Sequence, residues 1–333
     1  MTKKIVLSPY CIEVIVKRSK KASFPTFEPP MLATLTKNYF SKKEWLYEPK
    51  YDGVRCVAYK KNGVVHLFSR NGHVVNREYP ELVTALTQQL ADNFVIDGEI
   101  VAFDTAGISR FQLLQSRINR TNHFSSVPIH YCIFDILYTD GYSMEQVPLY
   151  VRKALLKQLL QYNDVLQYTD HAVGNGMALF AAACKKHEEG IIAKQKDSKY
   201  SHTRSRDWLK FKCSASQELV IGGYTTPQGS RSHFGALLVG YYDKNNFIYA
   251  GKVGTGYSHE TLALVGKKLE KLTIKKCPFF NYDGPVTQVH WVKPQLVAEF
   301  EFAEWTNGGK LRVGRYKGLR EDKSAKKVIR EAK

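Results

Sequence analysis

The sequence predicts an α+β fold in which a mixed domain with antiparallel sheets is followed by a small β-barrel domain. Up to about residue 213, strand-like and helix-like segments are mixed without strict alternation, which favours antiparallel sheets over a doubly wound parallel sheet. After Lys212 the chain changes to short strands bounded by turn residues, with one helix among them. The length of 333 residues suits about two domains.

The first part of the chain opens with a proline-containing stretch over 22–45, which predicts an extended lead-in. Residues 54–72 then alternate apolar and polar side chains around Asn62-Gly63, a dipeptide typical of tight β-turns. We therefore expect a hairpin at this position.

Residues 79–90 predict an amphipathic helix. Pro80 stands near the first helical position and Glu81 lies in the first turn, where its charge is favourable. Three leucines spaced four residues apart would share the apolar face: Leu82, Leu86 and Leu90.

Strands and helices continue to mix beyond this helix. Two further strands are expected over 94–104 and 129–138, and two helices over 152–162 and 178–187.

The remaining residues predict a small Greek-key barrel such as the OB-fold, which needs about five strands. The strand-like segments are 218–224, 236–242, 247–253, 296–302 and 310–316. One helix interrupts them, with Ser258 as its cap and Glu260 in its first turn. Its apolar face would contain Leu262, Val265, Leu269 and Leu272. The boundary between the domains is expected near Ser214–Ser216.

The charge of the chain indicates an acidic polymer as a partner. There are 49 Lys and Arg against 31 Asp and Glu, a formal net charge of +18. The excess is concentrated in 194–212 and 306–333. A basic surface exposed to solvent and a nucleic-acid-binding surface explain these segments equally well on charge alone.

Several protein classes are excluded. No apolar run reaches membrane-spanning length, and Pro9 and Glu13 interrupt the one stretch that resembles an export signal. The six cysteines are scattered without a CxxC pair, which argues against a zinc site and a disulfide scaffold. We expect all six to be unpaired, buried small side chains in a reducing cytoplasm.

The most informative string is Glu48-Pro49-Lys50-Tyr51-Asp52-Gly53-Val54-Arg55. It places an amine nucleophile, Lys50, beside a turn and the guanidinium of Arg55, an arrangement suited to attack on a phosphate. An ordinary Asp-Gly turn with flanking surface charges is the plainer interpretation of the same residues.

This string resembles the first motif, KxDG, of the covalent nucleotidyltransferases, which comprise ATP-dependent DNA ligases, RNA ligases and messenger-RNA capping enzymes. Further strings resemble the later motifs of that superfamily in the same order. They are Ser69-Arg70-Asn71-Gly72, Asp97-Gly98-Glu99, Phe134-Asp135, Glu189-Gly190-Ile191-Ile192-Ala193-Lys194 and Trp208-Leu209-Lys210-Phe211-Lys212.

The resemblance implies a role for each charged or aromatic motif residue. Lys50 would take AMP from ATP as a phosphoramide, Glu99 would bind the ribose, and Phe134 would stack on adenine. Phe134 in isolation would be assigned to the core. The remaining residues expected to bind the nucleotide or the 5′-phosphate are Glu48, Arg55, Arg70, Arg204, Lys210 and Lys212.

A divalent cation is also implied. Glu189, together with Glu99, would hold Mg²⁺, for which Mn²⁺ could substitute, because Mg²⁺ is usually bound through one or two carboxylates plus phosphates and water. In another sequence Glu188-Glu189 would be a surface acidic pair.

The carboxy-terminal string over 311–323 resembles the last ligase motif, R-x-D-K. Its Arg320, Asp322 and Lys323 would reach the pyrophosphate during self-adenylation. Gly314 stands where many relatives have Pro. With the segments 30–35, 251–257 and 299–312, this string resembles the ligase domain of bacterial end-joining ligase D and its stand-alone relatives.

The resemblance implies three regions: an N-terminal extension over 1–26, an adenylation (nucleotidyltransferase) domain over 27–214 and an OB-fold domain over 215–333. The implied activity is ATP-dependent sealing of 5′-phosphate and 3′-hydroxyl DNA breaks, in DNA repair. The implied partners are duplex DNA with nicks or ends and a Ku-like end-binding protein, without a membrane. A monomer in the bacterial cytoplasm, associated with the nucleoid, is expected.

Three other functions remain open from the sequence. A capping guanylyltransferase shares KxDG and an OB-fold, although the strings over 208–212 and 311–323 favour a ligase. An RNA-end ligase stays open because the sequence does not show how the pocket treats a 2′-hydroxyl. A non-catalytic OB-fold nucleic-acid-binding protein is the alternative that is not an enzyme.

Overall fold

The chain divides into two compact units, Met1–Cys213 and Ser214–Lys333, which we call the N-terminal and the C-terminal unit. The computed structural model describes residues 9–118, 127–227, 229 and 231–331. Each unit has its own buried apolar cluster, so each is described by itself.

Helices and strands are mixed along the N-terminal unit. The described helices are α1 (Pro9–Arg18), α2 (Pro80–Thr87), α3 (Phe111–Ile118), α4 (Leu149–Leu159) and α5 (Gly176–Lys185). The described strands are β1 (Lys20–Lys21), β2 (Leu32–Leu35), β3 (Trp45–Pro49), β4 (Val54–Lys61), β5 (Val64–Ser69), β6 (Phe94–Val101), β7 (His130–Thr139), β8 (Tyr142–Ser143), β9 (Leu166–Tyr168), β10 (Ala172–Val173), β11 (Gly190–Gln195) and β12 (Arg204–Lys212).

These strands form two sheets. The first has the order β1-β8-β7-β6-β4-β5, with β9 beside β7, and the second has the order β10-β3-β11-β12-β2. Most neighbours are antiparallel, and the parallel pairs among the described strands are β7 with β9 and β12 with β2. The α+β class with antiparallel sheets is therefore confirmed.

The predicted hairpin is present between β4 and β5. Asn62 and Gly63 both have positive φ, 48° and 80°, as the turn requires. The strands expected over 94–104 and 129–138 correspond to β6 and β7, and the helices expected over 152–162 and 178–187 correspond to α4 and α5.

The helix predicted over 79–90 is shorter than expected. Leu82 and Leu86 are buried, but Leu90 lies beyond the end of α2 and is 55% exposed. At the end of α2, the carbonyls of Thr87 and Gln89 accept from Lys60 Nζ, at 3.1 and 2.6 Å. These carbonyls therefore have a partner without the backbone N–H groups of a further helical turn.

The described part of the segment before residue 27 packs into the N-terminal unit. Val14 and Ile15 of α1 contact the main apolar cluster, and β1 pairs with β8. Phe24 packs edge-on against Tyr59 and Tyr138.

The C-terminal unit is organised around one long strand. Its elements are β13 (Ala215–Thr225), β14 (Leu237–Asp243), β15 (Asn246–Val253), α6 (His259–Glu270), β16 (Thr273–Ile274), β17 (Val289–Val292), β18 (Val297–Phe302), β19 (Glu304–Trp305), β20 (Leu311–Arg312), β21 (Arg315–Leu319) and a 3-10 helix (Ala325–Lys327). β13 pairs with β14 on one edge and with β17 and β18 on the other. The expected helix is capped as predicted, because Ser258 Oγ accepts from Thr261 N at 3.2 Å.

The β-barrel expected here is not closed by the described strands. The sheet follows the OB-fold order with antiparallel pairs, but a single bridge from Thr255 to Arg315 is what joins its two ends. A continuous ladder does not form because the chain leaves β15 at Val253 and enters α6, and Val313 adopts a positive φ of 52° just before β21.

A disulfide joins Cys184 in α5 to Cys213 after β12. The prediction of six unpaired cysteines was therefore wrong. β11 follows α5 and pairs with β12, so the end of β12 brings Cys213 back to the end of α5, where Cys184 lies. Cys56 and Cys132 are free and buried as predicted, whereas Cys277 is free and exposed. The side chain of Cys11 lies outside the described residues.

In the ranges described, no helix has both the length and the apolar character needed to cross a membrane.

Loss of the disulfide should destabilise the chain. Its cysteines are 29 residues apart, so a Cys213→Ser variant is expected to lose about 2–4 kcal/mol of unfolding free energy because the unfolded chain gains freedom. Urea unfolding of the wild type, with and without a thiol reductant, measures this. Cys277→Ser, which keeps the disulfide, is the control. If the reductant lowers the unfolding free energy of neither the wild type nor Cys277→Ser, the expectation is contradicted.

Candidate active site

Three adjacent strands of the second sheet place the sequence motifs side by side. Ile192 on β11 is paired with Glu48 on β3 and with Lys210 on β12. Lys50, just after β3, donates its backbone N–H to the carbonyl of Gly190 at 3.0 Å. The segments that contain Lys50, Glu189 and Lys212 therefore meet at one end of this sheet.

The candidate nucleophile is part of a charged cluster at that end. Lys50 Nζ contacts Glu189 Oε1 in an ion pair, and Lys212 Nζ lies 3.9 Å from the same oxygen. All three side chains are largely withdrawn from solvent, with exposures of 9–16%. A partly desolvated site of this kind strengthens electrostatic interactions with a bound phosphate.

Two motif glycines allow backbones to cross closely here. A Cβ on Gly53 would lie 2.2 Å from the carbonyl oxygen of Ile100, and a Cβ on Gly190 would lie 2.0 Å from that of Phe211. Gly190 also has a φ of +137°. The glycines therefore serve the close packing of the strands that position Lys50 and Glu189.

A second charged cluster is fully buried in the N-terminal unit. The Glu48 carboxylate contacts Lys153 Nζ at 2.5 Å and Lys194 Nζ at 2.6 Å, and each of these side chains is 1–2% exposed. Lys153 also donates to the carbonyl of Thr169 at 2.9 Å. Helix α4, which carries Lys153, is thereby tied to β3.

Burial and charge act in opposite directions on this cluster. Burial alone would raise the pKa of Glu48, but the two lysine ammonium groups hold that pKa below its usual range. Burial lowers the pKa of the Lys194 amine to about 8, although Glu48 opposes this shift.

Aromatic rings surround Lys194. Its Nζ lies 4.1 Å from the ring centroid of Phe134 and 4.0 Å from that of Trp208. Phe134 is only 8% exposed, and its ring also lies 4.6 Å from the Arg55 guanidinium carbon. A base stacked on Phe134 would share this ring with two cations.

Arg55 is held in a fixed orientation on β4. Its Nε and Nη2 each donate to Asp97 at 2.6 Å, and Tyr200 Oη donates to the same carboxylate at 2.6 Å. Glu99 lies directly across from Arg55 in the β4–β6 register and is partly exposed. The structure therefore brings Arg55 and Glu99 together near Phe134.

Two further predicted residues stand at the ends of strands in the N-terminal unit. Arg70 stands in the turn after β5, which is closed by the bond from Gly72 N to Ser69 O at 2.9 Å. Arg204 begins β12 and donates to the carbonyl of Ala33 at 2.6 Å. β12 is irregular between Ser205 and Leu209, so Arg204 pairs with Leu32 and Lys210 with Leu35, and about 10 Å of strand separates these two basic residues.

The residues of the last motif belong to the C-terminal unit and are paired within it. Arg320 donates through Nε and Nη2 to both Asp322 oxygens, at 2.9 and 3.0 Å. Arg320 Nη1 also donates to Glu299 at 3.3 Å, and Lys323 lies 3.1 Å from Glu218.

Sequence reasoning missed two buried cations on α4. Arg152 pairs with Asp135 at 2.7 Å and Lys153 with Glu48, and neither side chain is more than 1% exposed. The pattern of α4 indicates a surface position for both. Asp135, an acid within the apolar strand segment next to Phe134, was the one available signal.

Comparison with known proteins identifies the family. A family model described as the ATP dependent DNA ligase domain matches residues 30–212, more than half of the chain, and one described as the ATP dependent DNA ligase C terminal region matches residues 230–323. The chain belongs to the ATP-dependent DNA ligase family. Membership of this ligase family does not favour the capping-type and RNA-end alternatives.

Individual relatives of this ligase-family chain are named as LigD or DNA ligase D. The multifunctional non-homologous end joining protein LigD of Pseudomonas aeruginosa is 38% identical over 95% of this chain and 38% of its own length. The Mycobacterium tuberculosis protein is 37% identical, over 91% and 40%. The chain thus spans about two-fifths of the length of these relatives. A solved structure, mycobacterial DNA ligase D complexed with ATP and MES, is 34% identical with a TM-score of 0.67, over 91% of this chain and 98% of that one.

Removing one partner of the buried cluster should unfold this ligase-family chain more easily. Lys153→Met leaves Glu48 with one cation instead of two, and loss of a buried ion-pair partner costs about 3–5 kcal/mol. The unfolding free energy in urea measures the effect. Lys157→Met, on the same helix but with a 61% exposed side chain, is the matched control. Equal losses in the two variants would show that the buried cluster does not stabilise the fold.

Proposed function

We propose that this chain seals 5′-phosphate and 3′-hydroxyl breaks in duplex DNA with ATP, through a covalent lysyl-AMP and then a DNA-adenylate. The observation that carries the proposal is the cluster of Lys50, Glu189 and Lys212 at the junction of β3, β11 and β12. A nucleophilic amine, a carboxylate and a phosphate-binding cation are the groups that this reaction requires.

The first step forms a bond from Lys50 Nζ to the α-phosphorus of ATP and breaks the bond to the pyrophosphate. The amine must leave its ion pair with Glu189 and lose a proton before it attacks. Lys212, 3.9 Å from the same carboxylate, is close enough to neutralise charge on the α-phosphate. The enzyme then transfers AMP to the 5′-phosphate, and the 3′-hydroxyl displaces it.

The buried residues would bind the adenosine. Glu48 precedes Lys50 by two residues, and Phe134 would offer a ring face to the base. Arg55, Glu99 and the partly exposed Lys210 are the polar groups available for the ribose and the phosphates. Arg204, exposed at the start of β12 and bonded to the Ala33 carbonyl, is a further candidate for the phosphates.

The residues present fit a divalent cation that is completed by substrate. Among the described residues, no group of three or more His, Cys, Asp and Glu could hold a metal alone. Glu189 and Glu99 supply hard carboxylate oxygens, which suffice for Mg²⁺ or Mn²⁺ when phosphates and water provide the other ligands. The bound ion would neutralise charge on the transferring phosphate.

The basic residues and the relatives support DNA as the polymer. Arg70, in the turn after β5, would bind the 5′-phosphate, and the basic segment over 306–333 would contact the duplex. The relatives named for end joining support DNA repair as the setting. A Ku-like partner and a location in the bacterial cytoplasm complete the proposal.

Loss of the nucleophile should abolish self-adenylation. Lys50→Ala is expected to accept no label from α-labelled ATP with Mg²⁺, because the phosphoramide requires the amine. The same variant should still seal a nick that is already adenylated. Lys61→Ala, at the exposed end of β4, is the control. A Lys50→Ala protein that is labelled like the wild type would disprove the covalent mechanism.

Salt should separate the two uses of the basic residues. Nick sealing should fall steeply with potassium chloride concentration, because DNA binding releases counterions in proportion to the phosphates contacted. Self-adenylation, which uses largely buried lysines, should fall less. Parallel assays of both reactions over one salt series measure the difference, and equal slopes would count against this division.

A further inference from the structure

Two glutamates face each other across a strand pair in the C-terminal unit. Glu218 on β13 is directly opposite Glu299 on β18 in the antiparallel register. Like charges opposite each other destabilise a sheet, and Glu299 is only 7% exposed. This pair of carboxylates is therefore tolerated only if cations compensate it.

The compensating cations come from the last ligase motif. Arg320 Nη1 donates to Glu299 Oε2 at 3.3 Å, and Lys323 Nζ lies 3.1 Å from Glu218 Oε1. Ser216 Oγ donates to the other oxygen of Glu299 at 3.1 Å, which fixes the orientation of that carboxylate. Each glutamate thus holds one cation of the motif.

The backbone and Asp322 complete the arrangement. Arg320 N donates to Val297 O at 2.7 Å, which joins the motif to the start of β18. Asp322 accepts two bonds from the Nε and Nη2 edge of the same guanidinium. Burial would raise the pKa of Asp322, but Arg320 and Lys323 hold it below its usual range, so Asp322 stays charged.

We propose that Glu299 and Glu218 are positioning residues, which orient the Arg320 guanidinium and the Lys323 ammonium for self-adenylation. Asp322 is only two residues from Arg320 in the chain, so by itself it would move together with the guanidinium and would not fix its direction. Glu299 and Glu218 lie on long central strands of the sheet, so they fix the direction of both cations relative to the C-terminal unit. This inference rests on the proposed function, in which these cations act on the pyrophosphate.

Two reactions of the same full-length protein test the proposal. Single-turnover self-adenylation over a range of ATP concentrations reports the step that needs the motif, whereas sealing of a pre-adenylated nick reports folding and DNA binding without it. Glu299→Gln should slow self-adenylation about 10- to 100-fold, the effect of misplacing a reacting or charge-stabilising group. Sealing of the pre-adenylated nick should change less than about twofold.

The matched control is Glu301→Gln, on the same strand two residues further along, for which the described residues show no ion pair. Glu218→Gln tests Lys323 independently, and Glu299→Asp should restore part of the rate. In the double variant, Glu299→Gln should add little to Arg320→Gln, because both act through one guanidinium.

Three results would overturn the proposal. They are a Glu299→Gln rate equal to that of Glu301→Gln, a fully additive double variant, and an equal loss in both reactions, which would indicate a structural role. If the wild type itself accepts no label, the proposed function fails and this inference with it. If the wild type is labelled normally and the variants match it, only this inference fails.

Discussion

The compensation of Glu48 is the interaction on which the N-terminal unit depends. This carboxylate is buried at the end of β3, where a lone charge would cost several kcal/mol. Lys153 from α4 and Lys194 from β11 neutralise it at 2.5 and 2.6 Å. One helix and two strands are therefore held in a single arrangement. Lys50 follows Glu48 by two residues, so this cluster also fixes the position of the proposed nucleophile.

The register of the second sheet brings the predicted site residues together next to the Glu48 strand. Because β11 is paired with both β3 and β12, segments that are more than a hundred residues apart in sequence meet at one sheet end. Gly190 permits the close approach of β11 to β12 that this register needs. In the C-terminal unit, by contrast, the motif cations are held by acids of the sheet itself. Each unit thus fixes its charged groups by charge compensation rather than by apolar packing alone.

The fold class, the hairpin and most helices could be predicted because they depend on local patterns. The motif order also predicted a set of site residues, and the register of the second sheet brings Lys50, Glu189 and Lys212 of that set together. Other features depend on tertiary contacts that no local pattern encodes. Lys153 occupies a helix position that an amphipathic pattern assigns to solvent, and its acid partner is over a hundred residues away. Cys184 and Cys213 meet only because β11 and β12 pair. The C-terminal sheet stays open because the chain leaves β15 at Val253 and continues into α6.

The position of Trp208 offers an optical readout of the proposed base-binding region without a label. Its ring lies 4.0 Å from the Lys194 ammonium and 6.1 Å from the ring of Phe134, and the side chain is 1% exposed. A cation at this distance interacts with the electrons of an indole ring. The intrinsic fluorescence of Trp208 is therefore coupled to the location and protonation of Lys194. In a variant in which the other three tryptophans are replaced, its emission would report nucleotide occupancy directly.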